Sequence, residues 1–162
     1  MTLYHGSNTE VAVPRLLRSV RTLDFGPGFY TTMNRDQAVQ FAAKVVDRNE
    51  GSGVATLNIY DLDEKVAFSL FDTIRFDTPN EAWLDFVVDN RRGQYAGPEY
   101  AIKVGPVAND NVYRTIQLYM TGVLSRAQAI ESFKVKELFN QVVFSTESAL
   151  RLLRFVRSEV CA

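Results

Sequence analysis

Phe25-Gly26-Pro27-Gly28-Phe29-Tyr30-Thr31-Thr32-Met33-Asn34 is the stretch from which the fold is read. It opens with a glycine-rich turn, and Phe29 to Thr32 is a short β-prone run. Asn34 predicts a helix N-cap, with Gln37 three residues on. Ala38, Phe41, Ala42, Val45 and Val46 then recur at helical spacing, so residues 35–48 are expected to form an amphipathic helix ended by Gly51 and Gly53.

Upstream, Thr2 to His5 reads as a short strand ending in the turn cluster Gly6-Ser7-Asn8, and residues 8–23 read as irregular. Downstream, Val54 to Tyr60 and Val66 to Phe71 are β-prone. Thr78-Pro79-Asn80-Glu81 combines an N-cap, a proline at the first helical position and a capping-box glutamate. Trp83, Phe86 and Val87 give that helix an apolar face, and Arg91, Arg92 and Gly93 close it. Tyr100 to Val104 predicts a strand stopped by Gly105-Pro106. Asp110 opens a helix carrying Val112, Ile116, Tyr119 and Met120, which Gly122 ends. Ser125 and Gln128 form a capping box for a helix through Phe133. Gln141 to Ser145 is a further strand, and Thr146 caps a last helix with Ala149, Leu152, Leu153 and Val156 inward. The mixture is α+β, and no repeat or linker divides residues 1–162, so one domain is expected.

Composition supports a real core: 162 residues at 46% hydrophobic and 23% charged suit one folded domain rather than a disordered chain. No apolar run reaches the roughly 20 residues of a membrane span. The amino-terminal stretch lacks the basic and apolar regions of a secretory signal, and Cys161, the single cysteine, has no internal disulfide partner. The expected location is cytoplasmic, or inside a host cell reached without a cleaved signal. The net charge of -1 argues against indiscriminate nucleic-acid binding. Its distribution is uneven: residues 49–100 carry 4 basic and 10 acidic groups, whereas 101–162 carry 8 and 5. Arg15, Arg18 and Arg21 lie in the irregular segment, and the arginine fork suits phosphate or carboxylate. Arg151, Arg154 and Arg157 share a rough face of the last expected helix, either as a solvated surface or as a phosphate contact.

His5 is the only histidine. Beside it, the missing Cβ of Gly6 lets backbone amides approach a ligand, and the imidazole is able to donate to a ribose hydroxyl. One His and one Cys are too few for a zinc site. No G-x-S-x-G elbow supplies a nucleophilic serine, and there is no Walker A lysine motif. Gly26-Pro27-Gly28 lacks the third glycine of a dinucleotide fingerprint, and Pro27 removes an amide that a phosphate cradle would use. Tyr30 and Phe41, eleven positions apart, are either core aromatics or the two sides of a slot for a flat ligand.

Tyr4-His5-Gly6-Ser7, then Gly26-x-Gly28-Phe29-Tyr30 and an aromatic eleven residues on, resemble the NAD-binding half of the histidine-tyrosine-glutamate class of ADP-ribosyltransferases. That class includes the diphtheria-toxin-like enzymes and the poly-ADP-ribose polymerases. The phrases LYHGSN, LDFGPGFYTT, GPVANDN, IQLY and LFNQVVFSTESAL also resemble, end to end, a bacterial family with the same predicted fold. The resemblance implies a single domain of two small antiparallel sheets forming a split NAD cleft flanked by helices. It implies NAD as co-substrate and no metal. His5 would bond the 2′-hydroxyl of the adenosine ribose, and Gly6 would pair its backbone with the nicotinamide carboxamide. Tyr30 and Phe41 would stack on the nicotinamide, with Gly28, Thr31 and Arg15 also lining the NAD site. Gln141 occupies the strand where the class places its catalytic glutamate.

Three departures stand out. Phe41 replaces a frequent tyrosine, and Ala38 stands where the polymerases place a serine that touches the carboxamide. Gln141 keeps a hydrogen bond but loses the charge that would offset an oxocarbenium-like transition state. Asp110 or Glu147 are the carboxylates that would substitute. The implied activity is transfer of a single ADP-ribose to a protein, RNA or DNA acceptor. Such a protein would fit a toxin or effector with an antitoxin or host target, without a membrane partner. Non-catalytic NAD or ADP-ribose binding and NAD hydrolysis are the alternatives.

Overall fold

The computed structural model describes residues 1–17, 22–106, 110–134, 138 and 140–161. The stretch that opened the sequence folds as read. Phe29–Thr32 is strand β2, Asn34 accepts from Gln37 N, and helix α1 runs Arg35–Arg48. Strand β1 spans Thr2–Ser7, so Gly6 and Ser7 continue the strand and do not turn it. The other strands are β3 (Thr56–Asp61), β4 (Thr73–Arg75), β5 (Ile102–Pro106), β6 (Asn140–Phe144) and β7 (Arg154–Val160). They form one seven-stranded sheet in the order β4-β5-β6-β2-β1-β3-β7, with β4 and β5 parallel and the other neighbours antiparallel. The two antiparallel sheets expected above are thus a single mixed sheet.

Side chains alternate between the two faces of a strand, so each face gathers its own core. On one face, Leu3, Phe29, Tyr60, Ile102, Val142 and Phe144 pack with Ala67 of α2 (Glu64–Leu70) and with Ala149 and Leu150 of α6 (Glu147–Leu150). On the other face, Leu57 and Ile59 lie under Ala38 of α1. Val143 packs there with Phe25 and with Trp83, Phe86, Val112, Ile116, Ala129 and Phe133. Those helical side chains come from α3 (Glu81–Arg91), α4 (Asp110–Met120) and α5 (Arg126–Phe133). The capping box of Ser125 and Gln128 forms as expected. Among the described residues, no helix is long and apolar enough to cross a membrane.

Three expectations are corrected. Val66 to Phe71 is mostly helix α2, because Asp63 caps it by accepting from Val66 N at 3.1 Å. The N-cap of α3 is Asn80, which accepts from Trp83 N at 3.0 Å, in place of Thr78. The last helix stops at Leu150, and residues 154–160 pair with β3 as an edge strand. Phe155 meets the Tyr60 ring edge-on at 5.8 Å, a contact that a continued helix would forfeit. Arg154 and Arg157 therefore lie on a strand, not on a helical face.

Helix α1 lies directly on the backbone of β1. A Cβ added at Gly6 would stand 2.1 Å from Ala38 O and 2.7 Å from Ala42 N. Both obstacles are helix backbone, so relief requires lifting the helix. Gly6→Ala is expected to cost about 3 kcal/mol of stability, measured by denaturant unfolding. A variant within a few tenths of a kcal/mol of the parent would contradict this packing.

Candidate functional site

Backbone groups of an antiparallel strand face its two neighbours alternately. Leu62 N donates to Met1 O at 2.9 Å, and β1 keeps register with β3 from Thr2↔Asp61 to Ser7↔Thr56. Odd residues of β1 thus turn their backbone to β3, while Tyr4 and Gly6 turn theirs to β2. On that side the register holds only Tyr4↔Thr32. Strand β2 nonetheless pairs with β6 along its length, from Phe29↔Phe144 to Thr32↔Gln141. The two strands part beyond Tyr4, and the Gly6 backbone faces the parting.

His5 spans it. Its Nδ1 lies 2.8 Å from Tyr30 O. A carbonyl only accepts, so Nδ1 carries a proton. Burial pushes the imidazole below its usual 6.5, and the bond to Tyr30 opposes that only in part. The ring is neutral at pH 7, which leaves Nε2 as a lone-pair acceptor. Toward any ligand Nε2 is therefore an acceptor, not the donor that the residue type alone had suggested. The ring packs on Phe29 at 4.4 Å, on the face that carries Leu3 and Tyr60.

Tyr30 points to the opposite face, against the cluster of α3, α4 and α5. Its hydroxyl donates to Gly26 O at 2.6 Å and accepts from Phe25 N at 3.1 Å. Burial pushes this phenol far above its usual range. Both hydroxyl functions are thus engaged within the protein, and the half-buried ring packs against that cluster. The turn that holds it is fixed in several ways. Gly26 takes φ +73, and Lys103, only 4% exposed, donates Nζ to Phe25 O at 2.8 Å. Burial lowers the Lys103 pKa. Asp24 pairs with Arg91, whose guanidinium lies 4.4 Å over the Tyr113 ring. Sequence reading missed Lys103 and this ion pair. The one available signal was a lysine between the apolar residues Ile102 and Val104 of a strand with two covered faces.

The glycines of the turn serve packing. A Cβ at Gly28 would meet Val143 Cγ1 at 2.6 Å and Phe144 O at 2.8 Å, and one at Gly26 would meet Asn90 Oδ1 at 2.6 Å. Their absent side chains admit the protein's own atoms, not those of a flat ligand. Thr31 is buried on the face opposite Tyr30, with its hydroxyl donating to Val142 O at 2.7 Å. Phe41 is 44% exposed on α1, with Arg48 at 5.9 Å from its ring, and no ring contact among the described residues joins it to Tyr30.

Gln141 is buried on β6, in register with Thr32 and Gly105. It shares a face with Val143, and its Nε2 donates to Pro106 O at 3.5 Å, a carbonyl that also accepts from Trp83 Nε1 at 3.1 Å. Glu147 lies on the other face, where its Oε1 accepts from Leu16 N. Arg15 is exposed on the neighbouring segment, whose Val11 and Leu16 pack on that same far face. Neither joins Tyr30 or Gln141. Arg18 and Arg21 lie outside the described residues, as does the side chain of Asp110.

The site is thus a parted pair of sheet strands in a mixed α+β domain. A histidine and a glycine backbone lie on one side, and a locked tyrosine ring lies on the other. The chain belongs to the family described as protein of unknown function (DUF3990), which it matches over residues 1–155. No curated protein and no solved structure matches it.

Because the folded pKa of His5 lies below 6.5, the unfolded chain takes up its proton first as pH falls. Stability from this residue is fully present above pH 6.5 and is lost as pH drops toward the folded value. His5→Asn keeps a donor for Tyr30 O and does not titrate. Thermal melting between pH 7 and 5 is expected to show a smaller loss of Tm in His5→Asn than in the parent; equal slopes would contradict the neutral assignment.

Proposed function

We propose that this protein is a mono-ADP-ribosyltransferase that uses NAD as co-substrate. The observation that supports the reading is the parting of β1 from β2, which the Gly6 backbone faces and the bond from His5 Nδ1 to Tyr30 O spans. A carboxamide has one N–H donor side and one carbonyl, the complement of the Gly6 C=O and N–H. The flat pyridinium ring suits the fixed face of Tyr30, with Phe41 of α1 as the movable second wall. His5 Nε2 accepts from a ribose hydroxyl. A ligand that reaches both His5 and Tyr30 occupies the parted end of the strands, because the two side chains sit on opposite faces of the sheet.

In the reaction, the bond between nicotinamide nitrogen and ribose carbon breaks, and its electron pair leaves with nicotinamide. The acceptor's nucleophile forms the new bond to that carbon and releases its proton to solvent. The chain's part is positioning and exclusion of water. Gln141 offers a hydrogen bond without charge, so it orients the sugar and stabilises little of the developing positive charge. That neutrality favours a second reading, in which the site binds NAD or ADP-ribose without turnover. With water as acceptor, the same site would be an NAD glycohydrolase.

Isotopically labelled NAD separates the three. Transfer of label to protein or nucleic acid in a lysate, reduced at least about tenfold in His5→Ala and Tyr30→Ala, supports the transferase. Free labelled ADP-ribose alone supports hydrolysis, and tight NAD binding with no nicotinamide release would falsify turnover. Gln141→Glu restores the missing charge and is expected to raise NAD turnover by about tenfold or more.

A further inference from the structure

Beyond the parted strands, the face of the sheet that carries α1 holds a second concavity, of about 410 Å³, lined by Thr2, Tyr4, Arg35, Ile59, Asp61, Arg154, Val156 and Arg157. Its floor is β1, β3 and the edge strand β7, and Arg35 from the first turn of α1 forms one wall. The register Ile59↔Arg157 and Asp61↔Arg154 turns both β7 arginines toward this face. Three guanidinium groups here share two carboxylates. Arg35 and Arg157 both bond Glu159, at 2.7 and 2.8 Å, and Arg154 bonds Asp61 at 2.7 Å.

Those pairs are weak and leave the groove positive. The arginine side chains are 51%, 73% and 61% exposed for Arg35, Arg154 and Arg157, so solvent screens each pair. Each planar fork has five N–H donors and commits only one or two to a carboxylate. A phosphate oxygen is a better match for the remaining donors than a second carboxylate. Tyr4 of β1 adds an aromatic ring and a hydroxyl to the floor. Among the described residues no strand lies beside the outer edge of β7, so that edge offers backbone N–H groups to phosphate oxygens. Repeated guanidinium donors along a strand, with an aromatic among them, match a phosphodiester chain better than a single phosphate.

We propose that this groove binds the phosphodiester backbone of single-stranded nucleic acid. Binding here does not depend on the NAD reading. If that reading also holds, the groove makes nucleic acid the acceptor class, with the strand led over α1 toward Tyr30.

The test is fluorescence anisotropy with a labelled 12-nucleotide RNA and its DNA counterpart, from 25 to 200 mM salt. Binding is expected with a log–log salt slope of about −2, the value for three phosphate contacts on a single strand. Arg154→Gln and the double variant Arg35→Gln/Arg157→Gln should each weaken binding about tenfold or more and lower the slope by about 0.7 per arginine removed. Glu159→Gln removes the competing carboxylate and should tighten binding several-fold, a gain that misfolding does not produce. Lys134→Ala, on the far side of α5, should leave binding unchanged. The proposal is overturned if the parent does not bind at 25 mM salt or if the arginine variants bind as the parent does. It is also overturned if a poly-glutamate peptide or AMP competes as well as unlabelled RNA at equal charge. Label transfer from NAD is scored separately, so loss of one activity does not decide the other.

Discussion

A single hydrogen bond, from His5 Nδ1 to Tyr30 O at 2.8 Å, joins β1 and β2 where their ladder has ended. A backbone carbonyl left facing a gap must find a donor or water. Here the donor is the His5 side chain. The same bond fixes the tautomer, and burial keeps the ring neutral. The polarity of the parted strands follows from this: Nε2 is left as an acceptor beside the Gly6 backbone. A charged imidazole would lose the lone pair on which that pattern rests.

The opening is held from two directions. On one side α1 sits on Gly6 with no side chain between backbones, and this fixes the helix that carries Phe41. On the other, the turn before β2 is tied to β5 by Lys103 and to α3 by the Asp24–Arg91 pair. Tyr30 is therefore rigid, while Phe41 is exposed and less constrained. The buried Lys103 ammonium is costly unless bonded, and its contact with Phe25 O makes that turn one of the more strongly specified parts of the chain.

Charge is arranged along the sheet. The acidic middle of the chain supplies α2, α3 and β4, and also β3 with Asp61, while the arginines of α1 and β7 gather at the β7 end. A net charge near zero thus conceals a local positive groove on the same face as Tyr30. Edge strands commonly carry charge, which discourages pairing with other chains. On β7 the arginines fall on the face that α1 helps to enclose, so they line a concavity as well as guard an edge.

Local chemistry alone determined much of this protein. The Asn34 cap, the Ser125–Gln128 capping box, strand β2 and helix α1 were all legible, because each depends on residues a few places apart. Residues 154–160 were not legible. Leu152, Leu153 and Val156 fit a helix locally, and only the open edge of β3 and the Tyr60 ring make strand the better state. The glycines were misread for the same reason: sequence shows that a Cβ is missing, but only packing shows that Ala38, Val143 and Asn90 fill the space. The parting of β1 from β2, the tautomer of His5 and the neighbours of Gln141 join residues 25 or more positions apart. Those contacts arise when strands are assembled side by side, and no short stretch of the chain contains the partners that decide them.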